Sequence, residues 1–181
     1  MGYMSSLLPV SWEARSKEMK VLTFEKGKSR RLRLTLASTT TPTEHCELER
    51  DGFCQNPFFE CLVAEVHEED KAKEGFTMVG YALYFYTYST WKGRSVYLED
   101  LYVMPEFRGK GIGKGLLGKV AEMGKKEQCV RLQLSVLEWN TPSRDFYAAK
   151  GALDLTDNEG WHFIRFDGQN LDNLANEAPK D

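Results

Sequence analysis

Residues 101–115 read LYVMPEFRGKGIGKG. An apolar, strand-like run from Leu101 to Met104 stops at Pro105, Arg108 and four alternate glycines (Gly109, Gly111, Gly113, Gly115) follow, and a helical pattern then begins. Glycine has no Cβ and adopts backbone conformations closed to other residues, so the main chain there can come up against an anion. The unpaired N–H groups and the dipole of a helix's first turn favour negative charge. Arg108 and Lys110 add fixed positive charge beside them. The stretch is a strand, a phosphate-holding turn and a helix, and it implies a phosphorylated cofactor.

Two common phosphate motifs almost fit. Gly113, Gly115 and Gly118 have the spacing of the dinucleotide fingerprint, but they fall inside the helix and not at the strand-to-helix turn. Gly113, Gly118 and Lys119 have the P-loop spacing, but Val120 stands where that loop needs Ser or Thr for magnesium.

Working outward, the pattern predicts short strands at Val21 to Phe24 and Leu32 to Leu36, a loop at Ser38 to Thr43, and fraying over residues 1–20. Cys61 to Val66, the aromatic-rich Met78 to Tyr88, and Ser95 to Met104 read as strands, the last two joined by a hairpin turn at Trp91 to Arg94. Ile112, Leu116 and Val120 give a helix from Gly113 to about Lys126 one apolar face. Val130 to Leu137 reads as a strand. Thr141 is placed to cap a helix that runs to Lys150 before Gly151, and Trp161 to Phe166 reads as a last strand. This order is an α/β domain with one phosphate-binding crossover.

The 181 residues are 41% hydrophobic and 28% charged, enough for one domain with a core. No apolar run approaches the roughly 20 residues that span a bilayer, and Met1 to Val10 lacks the charged start of a signal peptide. No membrane association is expected. Cys46, Cys54, Cys61 and Cys129 form no Cys-x-x-Cys pair, and His45, His67 and His162 are scattered. No metal is therefore expected, and the thiols suit a reduced, cytoplasmic setting. The net charge of −3 divides into +5 over residues 1–33 and −8 over the rest. An acidic body disfavours nucleic acid and favours a small cationic substrate. The basic stretch Lys26 to Arg31 is either a polyanion patch or a solvated segment.

Arg108-Gly109-x-Gly111-Ile112-Gly113, directly after the apolar strand, resembles the acetyl-CoA pyrophosphate loop of the GNAT acetyltransferase superfamily. Further stretches carry the resemblance in order: DGFCQNPFFECLVAE at 51–65, YLEDLYVM at 97–104, EWNTPS at 138–143, DFY at 145–147 and EGWHF at 159–163. Together they resemble the spermidine/spermine (diamine) acetyltransferase family. STWKGR at 89–94 and EGWHF at 159–163 are closer to its thialysine-acetylating branch. The resemblance implies the GNAT fold, a mixed and mostly antiparallel sheet with splayed central strands flanked by helices. It covers a domain at about residues 48–168, between a divergent, partly disordered segment 1–47 and a tail at 169–181. A homodimer acting on small amines follows from the same likeness.

Acetyl transfer to an amine needs a held thioester, a neutral amine, an oxyanion partner and a proton for the leaving thiolate. The resemblance gives Leu101, Tyr102 and Val103 the main-chain groups that hold the pantetheine arm and thioester oxygen. It gives Arg108, Gly109, Lys110, Gly111, Ile112, Gly113 and Lys114 the pyrophosphate, and lays Asn140, Thr141, Pro142 and Ser143 along the coenzyme arm. An amine with a pKa near about 10 needs a base at neutral pH. Glu99 and Asp100 sit mid-strand, and alternation predicts that only one of them faces the amine. The family pattern makes Glu99 the base, through water, with Asp100 helping to hold the cation. It makes Tyr147, of the Phe146–Tyr147 pair, the acid for the thiolate. Ser89 stands where the spermidine branch has an acidic residue, which suits a shorter, zwitterionic substrate. Gln133, Leu134 and Ser135 match the substrate-lining strand, or form an ordinary half-buried one; Trp91 either walls the pocket or caps the hairpin.

Residues 1–47 depart from the family's opening strand and two helices, which makes the N-terminal part atypical and leaves the completeness of the amine pocket open. A non-catalytic acyl-CoA-binding module and a protein N-acetyltransferase are the two alternative functions.

Overall fold

Alternating apolar and polar residues from Glu60 to Val103 fold as three strands in a meander, and these organise everything the site needs. The computed structural model describes residues 20–25, 28–30, 48, 50–52, 54–70, 72 and 77–179. The expectations for residues 1–19, Leu32 to Leu36 and Ser38 to Thr43 fall outside them. The chain forms two compact units, Met1–Ser135 and Val136–Asp181.

In the first unit β1 (Lys20–Glu25), β2 (Lys28–Arg30), β3 (Glu60–Glu65), β4 (Met78–Ser89), β5 (Gly93–Val103) and β6 (Arg131–Leu134) make one sheet in the order β2-β1-β3-β4-β5-β6. The β1–β3 and β5–β6 pairs are parallel and the other three antiparallel. The helix α1 (Ile112–Lys126) crosses from β5 to β6 and covers one face. Ile112, Leu116 and Val120 are buried at four-residue spacing against Leu62, Ala82, Val96 and Leu98, and this is the core. Its one buried phenol, Tyr84, donates to Glu60 Oε2 at 2.7 Å across the β3–β4 pair, so the polar group is satisfied.

Two features of β5 differ from simple alternation. Leu83 pairs with Asp100 and Tyr84 with Leu98, so Glu99 is an extra residue, a β-bulge. Before it, Val96 and Leu98 face the core; after it, Leu101 and Val103 do, so the phase has shifted by one. The parallel pairing with β6 also stops there, at Leu98 opposite Leu134. The strand expected over Val130 to Leu137 accordingly covers only Arg131–Leu134: past the bulge it has no straight neighbour to pair with.

The second unit holds α2 (Thr141–Ala148), α3 (Leu155–Glu159) and α4 (Gly168–Asn176). Asn140, not Thr141, caps α2: its Oδ1 accepts the Ser143 N–H at 3.4 Å, and Thr141 is the first helical residue. Asp154 caps α3 through the Thr156 N–H at 3.0 Å, Gly160 ends it in the left-handed region, and Arg144 reaches Asp154 at 3.3 Å to tie α2 to α3. The strand expected over Trp161 to Phe166 does not form. This unit contains no strand among its described residues to pair with it, and Trp161, Phe163, Ile164 and Phe166 are exposed.

Candidate functional site

The glycine turn closes as its sequence demands. Pro105–Phe107 make one 3₁₀ turn, Gly109 and Gly111 take φ of 75° and 87°, and α1 begins at Ile112 with Gly111 as its cap. Those two positive φ values are open to glycine and strained for any side chain. No side chain caps the helix, and its first turn holds no acidic residue, so the amides there remain available for an anion. A Cβ built on Gly111 would meet nothing within 4 Å, and one on Gly113 only Val103 Cγ2 at 3.6 Å. The protein therefore leaves open the space a side chain would fill, as a phosphate cradle requires. Arg108 donates from Nε to the Val103 carbonyl at 2.9 Å, pinning the turn to the end of β5, and Lys110 Nζ stands 4.5 Å from the Phe107 ring centre. Lys114 is exposed on the first turn of α1.

Just upstream, Leu101, Tyr102 and Val103 pair with β4 on one side only. Their other edge has lost β6 and, apart from the Val103 carbonyl that Arg108 takes, is open to an extended ligand. These residues fit a phosphorylated, pantetheine-bearing cofactor: the turn offers amides and cations to the charge, and the edge offers main-chain groups to the arm.

On the sheet face opposite α1 lies a cleft of about 420 Å³ lined by Leu48, Phe58, Phe59, Leu83, Phe85, Glu99 and Asp100. Both residues line it, whereas alternation allowed one; the bulge puts Glu99 and Asp100 on the same side. The rim of Asp100 reaches water, yet protein crowds its other sides, and that loss of hydration raises its carboxyl above the ordinary 3.8. Asp100 in turn acts on its neighbours. Burial first, and the Asp100 charge second, push the Cys61 thiol up to about 12. The same causes raise the Tyr81 phenol. Burial thus favours the thiol form of Cys61.

Phe85 stacks on Tyr97 at 5.3 Å, and the Tyr97 hydroxyl meets Ser135 Oγ at 2.6 Å. Gln133 lies opposite Tyr97 in the β5–β6 pair, and Leu134 is half-buried in the same strand. Gln133 and Ser135 therefore flank the cleft through Tyr97. Ser89 and Trp91 are not in its lining. They sit at the hairpin tip, six residues along β4 from Leu83, where Ser89 Oγ accepts the Lys92 N–H at 3.3 Å and Trp91 is 82% exposed. Asn140, Thr141, Pro142, Ser143 and Tyr147 come together on α2 in the second unit, with Tyr147 half-buried and edge-on to Phe146 at 5.3 Å. Sequence reasoning missed the apolar lining of the cleft. Its signals are the Phe58–Phe59 pair and the odd-numbered positions of β4.

Among the described residues no group of three His, Cys, Asp or Glu could hold a metal, and no helix is long and apolar enough to cross a membrane.

The Acetyltransferase (GNAT) family profile matches residues 30–152. The chain is 51% identical over 128 residues to a thialysine N-epsilon-acetyltransferase of Bos taurus, covering 71% of this chain and 75% of that protein. It is 42% identical over 129 residues to spermidine/spermine N(1)-acetyltransferase-like protein 1 of Homo sapiens, covering 71% of this chain and 18% of the other. In structure it is similar to an integron cassette protein of V. cholerae, with a TM-score of 0.59 at 22% identity over 75% of this chain and 78% of that one. The open strand edge, the uncapped glycine turn and these likenesses converge: the chain is an acyltransferase and belongs to the GNAT acetyltransferase family.

Proposed function

We propose that this protein transfers the acetyl group of acetyl-CoA directly to a small primary amine of the thialysine or polyamine type. The observation that carries the proposal is the pair of carboxylates, Glu99 and Asp100, at one side of an apolar cleft and immediately before the open edge of β5. Acetyl-CoA supplies an activated acetyl thioester. Asp100 holds the incoming ammonium, and Glu99 removes its proton through a water molecule. Main-chain groups of Leu101 to Val103 orient the acetyl carbonyl, and Arg108 to Lys114 hold the pyrophosphate. The amine nitrogen bonds to the acetyl carbon as the carbon–sulfur bond breaks, and Tyr147 protonates the departing thiolate. Asn140 to Ser143 line the coenzyme arm in this reading, and Gln133 to Ser135 flank the amine.

The proposal includes a homodimer in the cytoplasm. The apolar side chains left exposed from Trp161 to Leu174 support a partner surface; a monomer by light scattering would refute the dimer.

The test is acetyl-CoA with a panel of amines, read as free thiol. Tyr147→Phe is expected to lower kcat about 10²-fold while coenzyme binding stays unchanged. Coenzyme binding with no turnover on any amine would make the chain a binding module instead.

A further inference from the structure

The parallel ladder between β5 and β6 stops at Leu98 opposite Leu134, and a fork opens beyond that rung. The proposed coenzyme arm lies along the β5 side of this fork, so the place where the strands part bears on its binding. A side-chain contact sits at that place. Tyr97 pairs with Gln133 on the sheet face opposite α1, and its hydroxyl reaches past the last rung to Ser135 Oγ at 2.6 Å. The bond joins β5 to the first residue beyond β6.

The Tyr97 ring is itself held. It stacks on Phe85, its direct partner across the β4–β5 pair, with ring centres 5.3 Å and planes 29° apart. Two residues back along the same face, Thr87 Oγ1 and Ser95 Oγ lie 2.8 Å apart and tie the same two strands. A stack and a hydrogen bond thus fix β4 against β5 here, and Tyr97 carries that tie on to the chain leaving β6.

We propose that Tyr97 is a positioning residue and Ser135 its anchor: their hydrogen bond fixes where β5 and β6 separate, and so sets the edge of Leu101 to Val103 in the geometry that receives the coenzyme arm. The inference rests on the acetyl transfer proposed above for the identity of the ligand. The two hydroxyls act through the strands and not on the reacting atoms. Without their bond the fork takes other spacings, the coenzyme binds only the fraction of molecules that keeps the right one, and its apparent Kd rises by the inverse of that fraction. Ser135 is exposed, and a hydrogen bond that water can replace stands at the low end of the usual contribution, so the expected loss is about threefold.

The experiment measures the Kd of coenzyme A by calorimetry on the full chain, without acetyl donor, for the natural protein, Tyr97→Phe, Ser135→Ala and the double variant. Tyr97→Phe keeps the ring and its stack, and Ser135→Ala removes one hydroxyl from the other side. Each single variant is expected to raise Kd about threefold, and the double variant also about threefold and not about ninefold, because both changes cut one bond. Ser135→Thr, which keeps a hydroxyl, is expected to bind coenzyme A as the natural protein does. Urea unfolding of the same variants separates positioning from plain support: lost stability with an unchanged Kd overturns the inference. Losses that multiply in the double variant overturn it too, as does a Ser135→Ala effect confined to the KM of the amine. If the natural protein releases thiol from acetyl-CoA with thialysine or spermidine while both single variants bind coenzyme A equally well, the inference is overturned and acetyl transfer stands. If the variants lose affinity together but no amine releases thiol, the positioning role stands and acetyl transfer is overturned. A natural protein that does not bind coenzyme A overturns both.

Discussion

One extra residue in β5 sets two carboxylates, Glu99 and Asp100, side by side. Asp100 is the one whose carboxyl burial raises. Its folded form holds a proton more tightly than the unfolded chain does, so its contribution to stability is greatest at low pH and declines as pH rises from the ordinary 3.8 through the raised value. Asp100→Asn removes that decline. Urea unfolding is expected to show the variant gaining on the natural protein as pH rises above the ordinary 3.8, and parallel curves would refute it. The glycine turn is legible in sequence because glycines at alternate positions serve no ordinary helix or strand. The shared aim of Glu99 and Asp100 is not, since strict alternation sends neighbours to opposite faces. The trace of the bulge is present all the same: the apolar phase runs Val96, Leu98, then Leu101, Val103. Residues Phe58 and Phe59 come to the cleft through a loop, where periodicity carries no information.

At the scale of elements, α1 lies close on β5 because Gly124 has no side chain. A Cβ there would stand 2.8 Å from Val96 Cγ1, so Gly124→Ala must push Val96 aside. The gain in helix propensity is smaller than the overpacking, and a net loss of about 1–2 kcal/mol is expected in urea unfolding. The residue after the cap of the same helix, Gln128, has φ of 61°, a conformation glycine adopts freely. Gln128→Gly should therefore stabilise the protein by about 0.5–1 kcal/mol, measured in the same way. Elements with their own local signals are legible: α1 through its apolar stripe, α2 through Asn140 and Pro142. The missing strand at Trp161 to Phe166 shows the limit. Its alternation is strand-like, but a strand exists only where a neighbour accepts its hydrogen bonds.

For the whole molecule, the proposed coenzyme site joins the open edge of β5 to the turn before α1, both in the first unit. Acetyl-CoA at about 100 times its Kd is expected to stabilise the protein by about 2.7 kcal/mol, or about 5–10 °C in Tm. A thermal shift assay checks this, and no shift would contradict the cofactor assignment. The fold class is legible because strand order and crossover follow from the chain, while the separate unit from Val136 onward is not, since its helices are short and bury no residue fully.

The three residues of β5 that lose β6 leave an edge without a strand neighbour, its Val103 carbonyl held by Arg108, that an extended partner could join. Such an edge does not distinguish a pantetheine arm from the strand of another polypeptide. A coenzyme bound there, as proposed above, would also act as a stopper, and a stock of this protein stripped of it is expected to aggregate faster on storage, as light scattering would show.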